Sequence, residues 1–200
     1  PEWEKPAGAV LDYYGADNVT IIGVSLGGEL CMRAAAMEPR IRRVVSWSVL
    51  PSIYGALMAD KPAEIRAKLE HWLDENNRDA ILDLYAGLAE REPLFRWSIQ
   101  HSNYAYGTSD VYEYLQKARA FTIEPVAERI TQDVLLLSAR EDLLVDFALY
   151  KQEIDLLKNT RSLEFAAPGR ALNGQAHCNM GNTKYMLDLI LNWNDRMLER

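Results

Sequence analysis

The segment from residue 19 to residue 50 restricts the possible folds of this chain most strongly. It begins with the β-branched run Val19-Thr-Ile-Ile22, passes through a glycine-rich turn, and continues as Leu26–Met37, where small and apolar residues recur. Pro39 ends that stretch, and a second apolar segment follows at Arg43–Leu50. A strand, a helix and a strand in so few residues predict a βαβ unit, whose two strands run parallel and whose ligand sites lie at the carboxyl ends of the strands.

The alternation of strands and helices is interrupted once along the chain. Residues 51–130 show helical periodicity and no convincing strand. Strands are predicted again at Asp133–Ser138 and Ser162–Ala166, with a helix between them and a long amphipathic helix after them. We therefore predict an α/β core with a parallel sheet, formed by residues 1–50 and 131–200, and an inserted all-α segment at residues 51–130.

The turn Gly23-Val-Ser-Leu-Gly-Gly28 lies between the first strand and the helix of small residues. In a sharp strand-to-helix turn, Ser25 stands clear of the sheet, and glycines two positions before and after it avoid collisions as the backbone folds back. The amide N–H of Leu26, at the start of the helix, points at any anion formed beside Ser25. The motif predicts a serine nucleophile with Leu26 as an oxyanion donor, and an ordinary Gly-Ser turn is the alternative.

A serine hydroxyl is a weak nucleophile unless an adjacent base takes its proton. Of the three histidines, His71 and His101 lie in predicted helices of the insert, where surface or packing roles are expected. His177 lies in a loop of small and polar residues between the last predicted strand and the final helix. We predict His177 as the base, and an exposed loop histidine is the alternative.

Three carboxylates follow the strand that begins at Asp133, namely Glu141, Asp142 and Asp146. The short side chain of Asp142 can accept a hydrogen bond from the ring of His177, and the apolar residues 143–145 are expected to anchor its turn. Asp146 is predicted to be the N-cap of the following helix. The order Ser, Asp, His along the chain matches one of the known orders of a catalytic triad.

On these residues the chain resembles the α/β-hydrolase fold from the nucleophile strand to the C-terminus. The resemblance is carried by three segments: Gly23–Gly28, Leu135–Asp142 and Gly174–Asn179. It implies that Ser25 is the nucleophile, that His177 is the base and that Asp142 orients the base. It also implies that the helical insert is a cap over the active site.

Three further segments resemble a narrower group, the helical-capped hydrolases related to prolyl oligopeptidase and acylaminoacyl peptidase. They are Tyr106–Tyr112, Phe121–Thr131 and His177–Asn182. Some relatives of that kind cleave carbon–carbon bonds in aromatic ketones rather than esters or peptides. The resemblance implies a serine hydrolase that cleaves an ester, amide or related acyl bond through an acyl-enzyme, with carbon–carbon bond hydrolysis by the same triad as the alternative.

The position of the motif near the N-terminus departs from this fold, in which several strands and a loop that donates a second oxyanion N–H precede the nucleophile strand. Without a neighbouring strand, Val19–Ile22 would be an apolar sheet edge, which favours association. We therefore expect the chain to be the C-terminal part of a longer hydrolase, or another copy of the chain to cover that edge. A non-catalytic binding or assembly module is the alternative from a different class.

The insert is mildly enriched in aromatic residues. Packing within the cap explains most of them, but some should face the space above Ser25, and Trp97, Tyr104 and Tyr106 are the candidates for lining a substrate pocket. A pocket of this kind favours a small apolar or aromatic acyl substrate, and a cap excludes folded proteins.

The charge and cysteine patterns exclude several other classes. With 22 Lys and Arg against 29 Asp and Glu, the net charge of −7 argues against a nucleic-acid partner. We find no apolar run of the roughly 18 residues that a membrane span needs and no leader pattern at residues 1–5, so we expect a soluble, cytoplasmic protein without a membrane partner. Cys31 and Cys178 lack metal-ligand spacing, Cys178 is interpreted as a packing residue, and no cofactor or metal is implied.

Overall fold

The computed structural model describes residues 2–200, and Pro1, the first residue of the predicted core, lies outside the described residues. The helices and strands in chain order are α1 (Glu4–Tyr14), β1 (Val19–Val24), α2 (Leu26–Met37), β2 (Ile41–Trp47), α3 (Ile53–Ala59), α4 (Ala63–Asp74), α5 (Arg78–Arg91), α6 (Pro93–Tyr106), α7 (Val111–Ala118), β3 (Asp133–Leu137), α8 (Leu149–Leu156), β4 (Ser162–Ala166) and α9 (Thr183–Leu198). Short 3₁₀ segments lie at Glu124–Arg129, Arg170–Leu172 and His177–Asn182.

The chain divides into two compact units. One combines the segment up to Leu57 with Thr122–Arg200 and contains the sheet, and the other, Met58–Phe121, is helical. The helical unit is shorter than the predicted insert of residues 51–130. The reason is that Ser52 pairs with Thr122 in an antiparallel bridge, which ties both connecting segments to the sheet unit.

Within the described residues the sheet has four parallel strands in the order β1-β2-β3-β4, which confirms the predicted α/β class with its parallel βαβ unit. The first strand begins at Val19 and α2 spans Leu26–Met37, as predicted. The second strand was placed too late in the sequence. It spans Ile41–Trp47 rather than Arg43–Leu50, because the chain leaves the sheet after Trp47 and the amide of Val49 donates to the carbonyl of Leu137 at the end of β3 (3.0 Å).

Helices pack on both faces of the sheet, as expected for a parallel sheet. On one face α2 contributes the small buried residues Ala34–Ala36, which let its backbone approach Val44 and Val134. On the other face α9 places Trp193 and other apolar side chains against residues of β2 and β3 that point the opposite way; these residues are Val45, Trp47, Leu135 and Leu137.

The strand β1 forms one edge of the sheet, and its apolar residues are not fully covered. The side chains of Ile22 and Val24 are 47% and 43% exposed. The predicted cover for this edge stays a prediction. Within residues 2–200, no helix has the length and apolar character needed to cross a membrane.

Candidate active site

Ser25 is the single residue between β1 and α2, and its backbone has the unusual angles φ 57° and ψ −122°. The turn is tight enough that a Cβ atom on Gly23 would lie 1.8 Å from the carbonyl oxygen of Gly27. Glycine is therefore required at position 23 so that the backbone can fold back on itself. This geometry presents the Ser25 side chain at the carboxyl edge of the sheet, as the motif predicts.

The two glycines after Ser25 differ from each other. A Cβ on Gly27 would meet nothing within 4 Å, so the expectation that a side chain there would collide was wrong. The collision involves the carbonyl of Gly27, and that group is present whatever the residue. A Cβ on Gly28 would lie 2.2 Å from the carbonyl oxygen of Ser48, so this glycine lets α2 pack closely on the segment after β2.

The three side chains predicted for the triad are in hydrogen-bond contact. Oγ of Ser25 lies 2.8 Å from Nε2 of His177, and Nδ1 of His177 lies 2.7 Å from Oδ2 of Asp142. Ser25 follows β1, Asp142 lies in the loop after β3, and His177 begins the 3₁₀ segment after β4. The carboxyl ends of the parallel strands lie on the same side of the sheet, and residues that are far apart in the sequence meet there.

The contact between His177 and Asp142 shifts the pKa of both side chains. Burial acts to raise the pKa of Asp142, but hydrogen bonds from His177 and from the amides of Leu144 and Val145 lower it below its ordinary value. Hydrogen bonds to Asp142 and Cys178 raise the pKa of His177 to about 10, against the opposing effect of burial. The carboxylate therefore stabilises the positively charged form of the imidazole.

The loop that carries Asp142 is not anchored in the predicted way. Leu143 and Leu144 are 98% and 69% exposed, and only Val145 of the three apolar residues is buried. The carboxylate itself holds the turn, because Oδ1 of Asp142 accepts from the amides of Leu144 (2.8 Å) and Val145 (3.1 Å). The neighbouring carboxylate, Glu141, forms an ion pair with Arg170.

Asp146 was predicted to cap the helix that follows it, and this prediction was wrong in detail. Its Oδ1 accepts from the amide of Ala148 (2.8 Å), whereas α8 begins at Leu149 with Ala148 as its N-cap residue. Asp146 thus stabilises the turn that precedes the helix.

Leu26 is the first residue of α2, where a backbone N–H has no acceptor within the helix.

The residues predicted for a substrate pocket belong to the helical unit. There Trp97 stacks on His101 with ring centroids 5.1 Å apart, Tyr104 is exposed, and Tyr106 makes edge-on ring contacts with two aromatic side chains of its own unit. A role for these three residues in a pocket stays a prediction.

Sequence reasoning missed two buried carboxyl groups, Glu29 on α2 and Glu153 on α8. Burial raises the pKa of Glu29 to about 7 and that of Glu153 to about 8. Glu29 lies four residues before Arg33, a spacing that in sequence suggests an ion pair on a helix surface. The distinguishing signal was the small-residue composition of α2, which indicates a helix buried on most of its circumference.

Comparison with known protein families agrees with the α/β fold described above. Residues 4–173 match the sequence profile of the α/β-hydrolase fold. The chain belongs to this family.

Individual relatives are more distant. The chain is 24% identical to "Hydrolase ORFZ" of Pyricularia oryzae, over 90% of this chain and 46% of that protein. In structure it is similar to the α/β hydrolase GrgF from Penicillium sp. sh18, with a TM-score of 0.62 at 12% identity, covering 98% of this chain and 72% of that one. It is also similar to the 2,6-dihydroxy-pseudo-oxynicotine hydrolase, with a TM-score of 0.58 at 16% identity, covering 94% of this chain and 44% of that one. The chain spans less than half the length of the curated relatives it matches.

Proposed function

We propose that this α/β-hydrolase chain carries the catalytic triad of a serine hydrolase that cleaves an ester, amide or related acyl bond of a small substrate. The observation that supports the proposal most directly is the continuous contact from Ser25 through His177 to Asp142. The backbone angles of Ser25 add to it, because a serine on a strained strand-to-helix turn is the arrangement of a nucleophile elbow.

The chemistry follows from these contacts. As Oγ of Ser25 bonds to the carbonyl carbon of the substrate, Nε2 of His177 takes the hydroxyl proton, and the carbonyl oxygen becomes an anion beside the N–H of Leu26. The bond to the leaving group then breaks, and the leaving group receives the proton from His177. Water next attacks the acyl group on Ser25, which releases the acid and restores the serine. Asp142 keeps the imidazole in position and stabilises its charged form.

The substrate class is proposed from the helical unit. Trp97, Tyr104 and Tyr106 are the aromatic residues of this unit that the sequence nominates for the pocket, and aromatic side chains suit an apolar or aromatic acyl group. The narrower relationship to the prolyl-oligopeptidase and acylaminoacyl-peptidase group is part of the same proposal. Carbon–carbon bond hydrolysis by the same triad is the alternative, and parallel assays with aromatic ketones and with p-nitrophenyl esters of the same acyl groups distinguish the two.

A fluorophosphonate probe tests the role of Ser25. We expect the chain to be labelled at Ser25, and the Ser25→Ala variant to show no labelling. Ser98→Ala is the matched control, because Oγ of Ser98 only donates to the carbonyl of Phe95 within α6, and it should be labelled like the unaltered chain. Labelling that persists in Ser25→Ala would refute the assignment, and a folded chain that does not react would favour a non-catalytic binding or assembly role.

The exposed edge of β1 supports a second part of the proposal, namely that further β-strands pair with it. These strands come from a second copy of the chain or from a longer form of it, since β1 lies at the edge of the sheet and an apolar edge strand favours pairing. Light scattering over a range of concentrations distinguishes the two sources. A dimer supports pairing between copies, and a monomer at every concentration excludes it.

A further inference from the structure

Asn179 lies two residues after His177, and its side chain is almost completely buried, with 1% of the residue exposed. Three hydrogen bonds hold its side-chain amide. Oδ1 accepts from the indole N–H of Trp47 (3.1 Å), and Nδ2 donates to the carbonyls of Ser138 (3.1 Å) and Gly174 (2.5 Å). A buried primary amide bonded in this way has one orientation only.

The first of these partners also positions the serine. Trp47 is the last residue of β2, and its carbonyl accepts a hydrogen bond from the amide N–H of Ser25 at 2.6 Å. The indole N–H of the same residue donates to Asn179. The backbone of Ser25 and the loop that carries His177 are therefore held by one buried tryptophan.

The second partner leads to the carboxylate. Ser138 is the first residue after β3, at the start of the loop that carries Asp142. The same two loops meet again where the amide of Glu141 donates to the carbonyl of Gln175 (2.9 Å). The bond from Asn179 to Ser138 thus holds the histidine loop to the loop of its orienting partner.

The backbone of the histidine loop explains why such support is needed. Cys178 and Asn179 both have φ of 52°, and two consecutive residues in the left-handed region are unfavourable unless other contacts hold them. Asparagine tolerates this conformation better than most residues. The backbone N–H of Asn179 closes the turn by donating to the carbonyl of Ala176 (2.8 Å).

We infer that Asn179 is a positioning residue, whose buried amide fixes the ring of His177 relative to both Ser25 and Asp142. The inference rests on the proposed function of the triad. Loss of the amide leaves the nucleophile, the base and the carboxylate in the chain but lets the imidazole move away from one or both partners. A positioning role of this kind lowers the rate of the chemical step more than it weakens substrate binding.

The experiment compares Asn179→Ala and Asn179→Asp with the unaltered chain. The second variant keeps the shape and the acceptor for Trp47 but loses both N–H donors. Asn182→Ala is the matched control, because Asn182 lies in the same loop and bonds the carbonyl of Leu172 without contacting Trp47 or Ser138. The readouts are kcat and KM on an ester substrate, with kcat expressed per site titrated by the fluorophosphonate probe.

We expect kcat per titrated site to fall on the order of 10² in both Asn179 variants, with KM changed less than about threefold, and to stay within about threefold in the control. If the variants lose only titratable sites while kcat per site is unchanged, Asn179 serves stability alone and the inference is wrong. If Asn179→Ala does not fold, Asn179→Asp decides. If neither folds, Trp47→Phe, which removes one donor to the amide, is measured in the same way.

Titration of His177 by NMR separates failure of this inference from failure of the proposed function. The signal is assigned by difference from a His71→Gln and His101→Gln background. In Asn179→Ala we expect the midpoint to move down toward the ordinary histidine value, because the ring loses its contact with Asp142. An unaltered chain that does not react with the probe refutes the proposed function, whereas an unchanged midpoint in Asn179→Ala refutes the role of Asn179.

Discussion

Nδ1 of His177 lies 2.7 Å from Oδ2 of Asp142, whose side chain is only 2% exposed. At this distance from a poorly hydrated carboxylate, the protonated ring is strongly favoured, which is why the pKa of His177 is raised. A base must be neutral before it can accept the proton of Ser25. The contact that holds the imidazole in place therefore also determines the pH at which it becomes a base.

The pH dependence of hydrolysis tests this contact. We expect kcat/KM to rise with pH, with its midpoint above the ordinary histidine value of 6.5 and below about 10. In Asp142→Asn the midpoint should fall toward 6.5, and kcat should drop by about 10⁴, because the amide no longer stabilises the imidazolium or selects the correct tautomer. The measurement is a pH profile on one ester substrate, and equal midpoints in the two proteins would contradict the assignment of Asp142.

The same shift affects the stability of the sheet unit. Because the folded pKa of His177 is raised, its contribution to the free energy of unfolding is fully present below pH 6.5 and is lost as pH rises through about 10. We expect His177→Gln to remove this part of the pH dependence. Urea unfolding at pH 6 and pH 10 measures it, with His71→Gln as the control, since His71 is exposed on α4.

Two glycines of the nucleophile turn should respond in opposite directions to alanine. Gly23→Ala places a Cβ 1.8 Å from the carbonyl of Gly27, so we expect a loss of about 3 kcal/mol or more in the free energy of unfolding, together with loss of probe labelling. The Cβ of Gly27→Ala meets nothing within 4 Å and lies in the first turn of α2. This variant should therefore raise the free energy of unfolding by up to about 0.5 kcal/mol. Urea unfolding of both variants is the measurement, and equal losses would contradict the observed turn.

The buried carboxyl group of Glu153 should make the fold less stable in alkaline solution. Its folded pKa is raised to about 8 by burial, and Glu29 and Cys31 are the titratable groups coupled to it electrostatically. The contribution of a raised carboxyl is fully present below its unfolded value near 4.5 and is lost as pH rises through about 8. We expect Glu153→Gln to stabilise the protein at pH 9 by about 2 kcal/mol.

The control for this prediction is Glu128→Gln, because Glu128 is exposed. Thermal or urea unfolding between pH 5 and pH 9 should give a flatter profile for Glu153→Gln than for either the unaltered chain or the control. Parallel profiles in all three proteins would show that the Glu153 carboxyl is not titrated in this range.

The apolar residues after Asp142 should differ in their contribution to stability. Val145 is buried, whereas Leu143 is 98% exposed. We expect Val145→Ala to cost about 1–2 kcal/mol of unfolding free energy and Leu143→Ala to cost less than about 0.5 kcal/mol. Chemical unfolding of the two variants measures the difference. A larger loss for Leu143→Ala would mean that a contact outside this chain covers that side chain.

The predicted elements agreed best with the observed ones where a local sequence pattern determines the secondary structure. The strands at Val19 and Ser162–Ala166 and the helix Leu26–Met37 follow from β-branched and small-residue patterns, and they were predicted at their observed starts. Because the carboxyl ends of parallel strands lie on the same side of a sheet, the sequence could place Ser25 and His177 on that side, whereas their contact depends on the path of the loop after β4.

The features that were missed depend on tertiary neighbours. The open space beside Gly27, the exposure of Leu143 and Leu144, and the early end of β2 depend on which atoms lie opposite, and no local pattern encodes this. Glu29 resembled a surface residue because its spacing to Arg33 suits an exposed ion pair. Asn179 was missed because its partners Trp47 and Ser138 are distant in the sequence and its left-handed backbone is seen only in the structure.

The strands lie in the sheet in the same order as in the chain, with β1 at one edge and β4 at the other. Ser25 follows β1 and His177 follows β4, so their contact joins the segments that come after the two opposite edge strands. During synthesis, Ser25 is therefore made before His177 and has no imidazole partner until β4 and the segment after it have joined the sheet. The appearance of a reactive serine thus reports that the last strand of this chain has been placed.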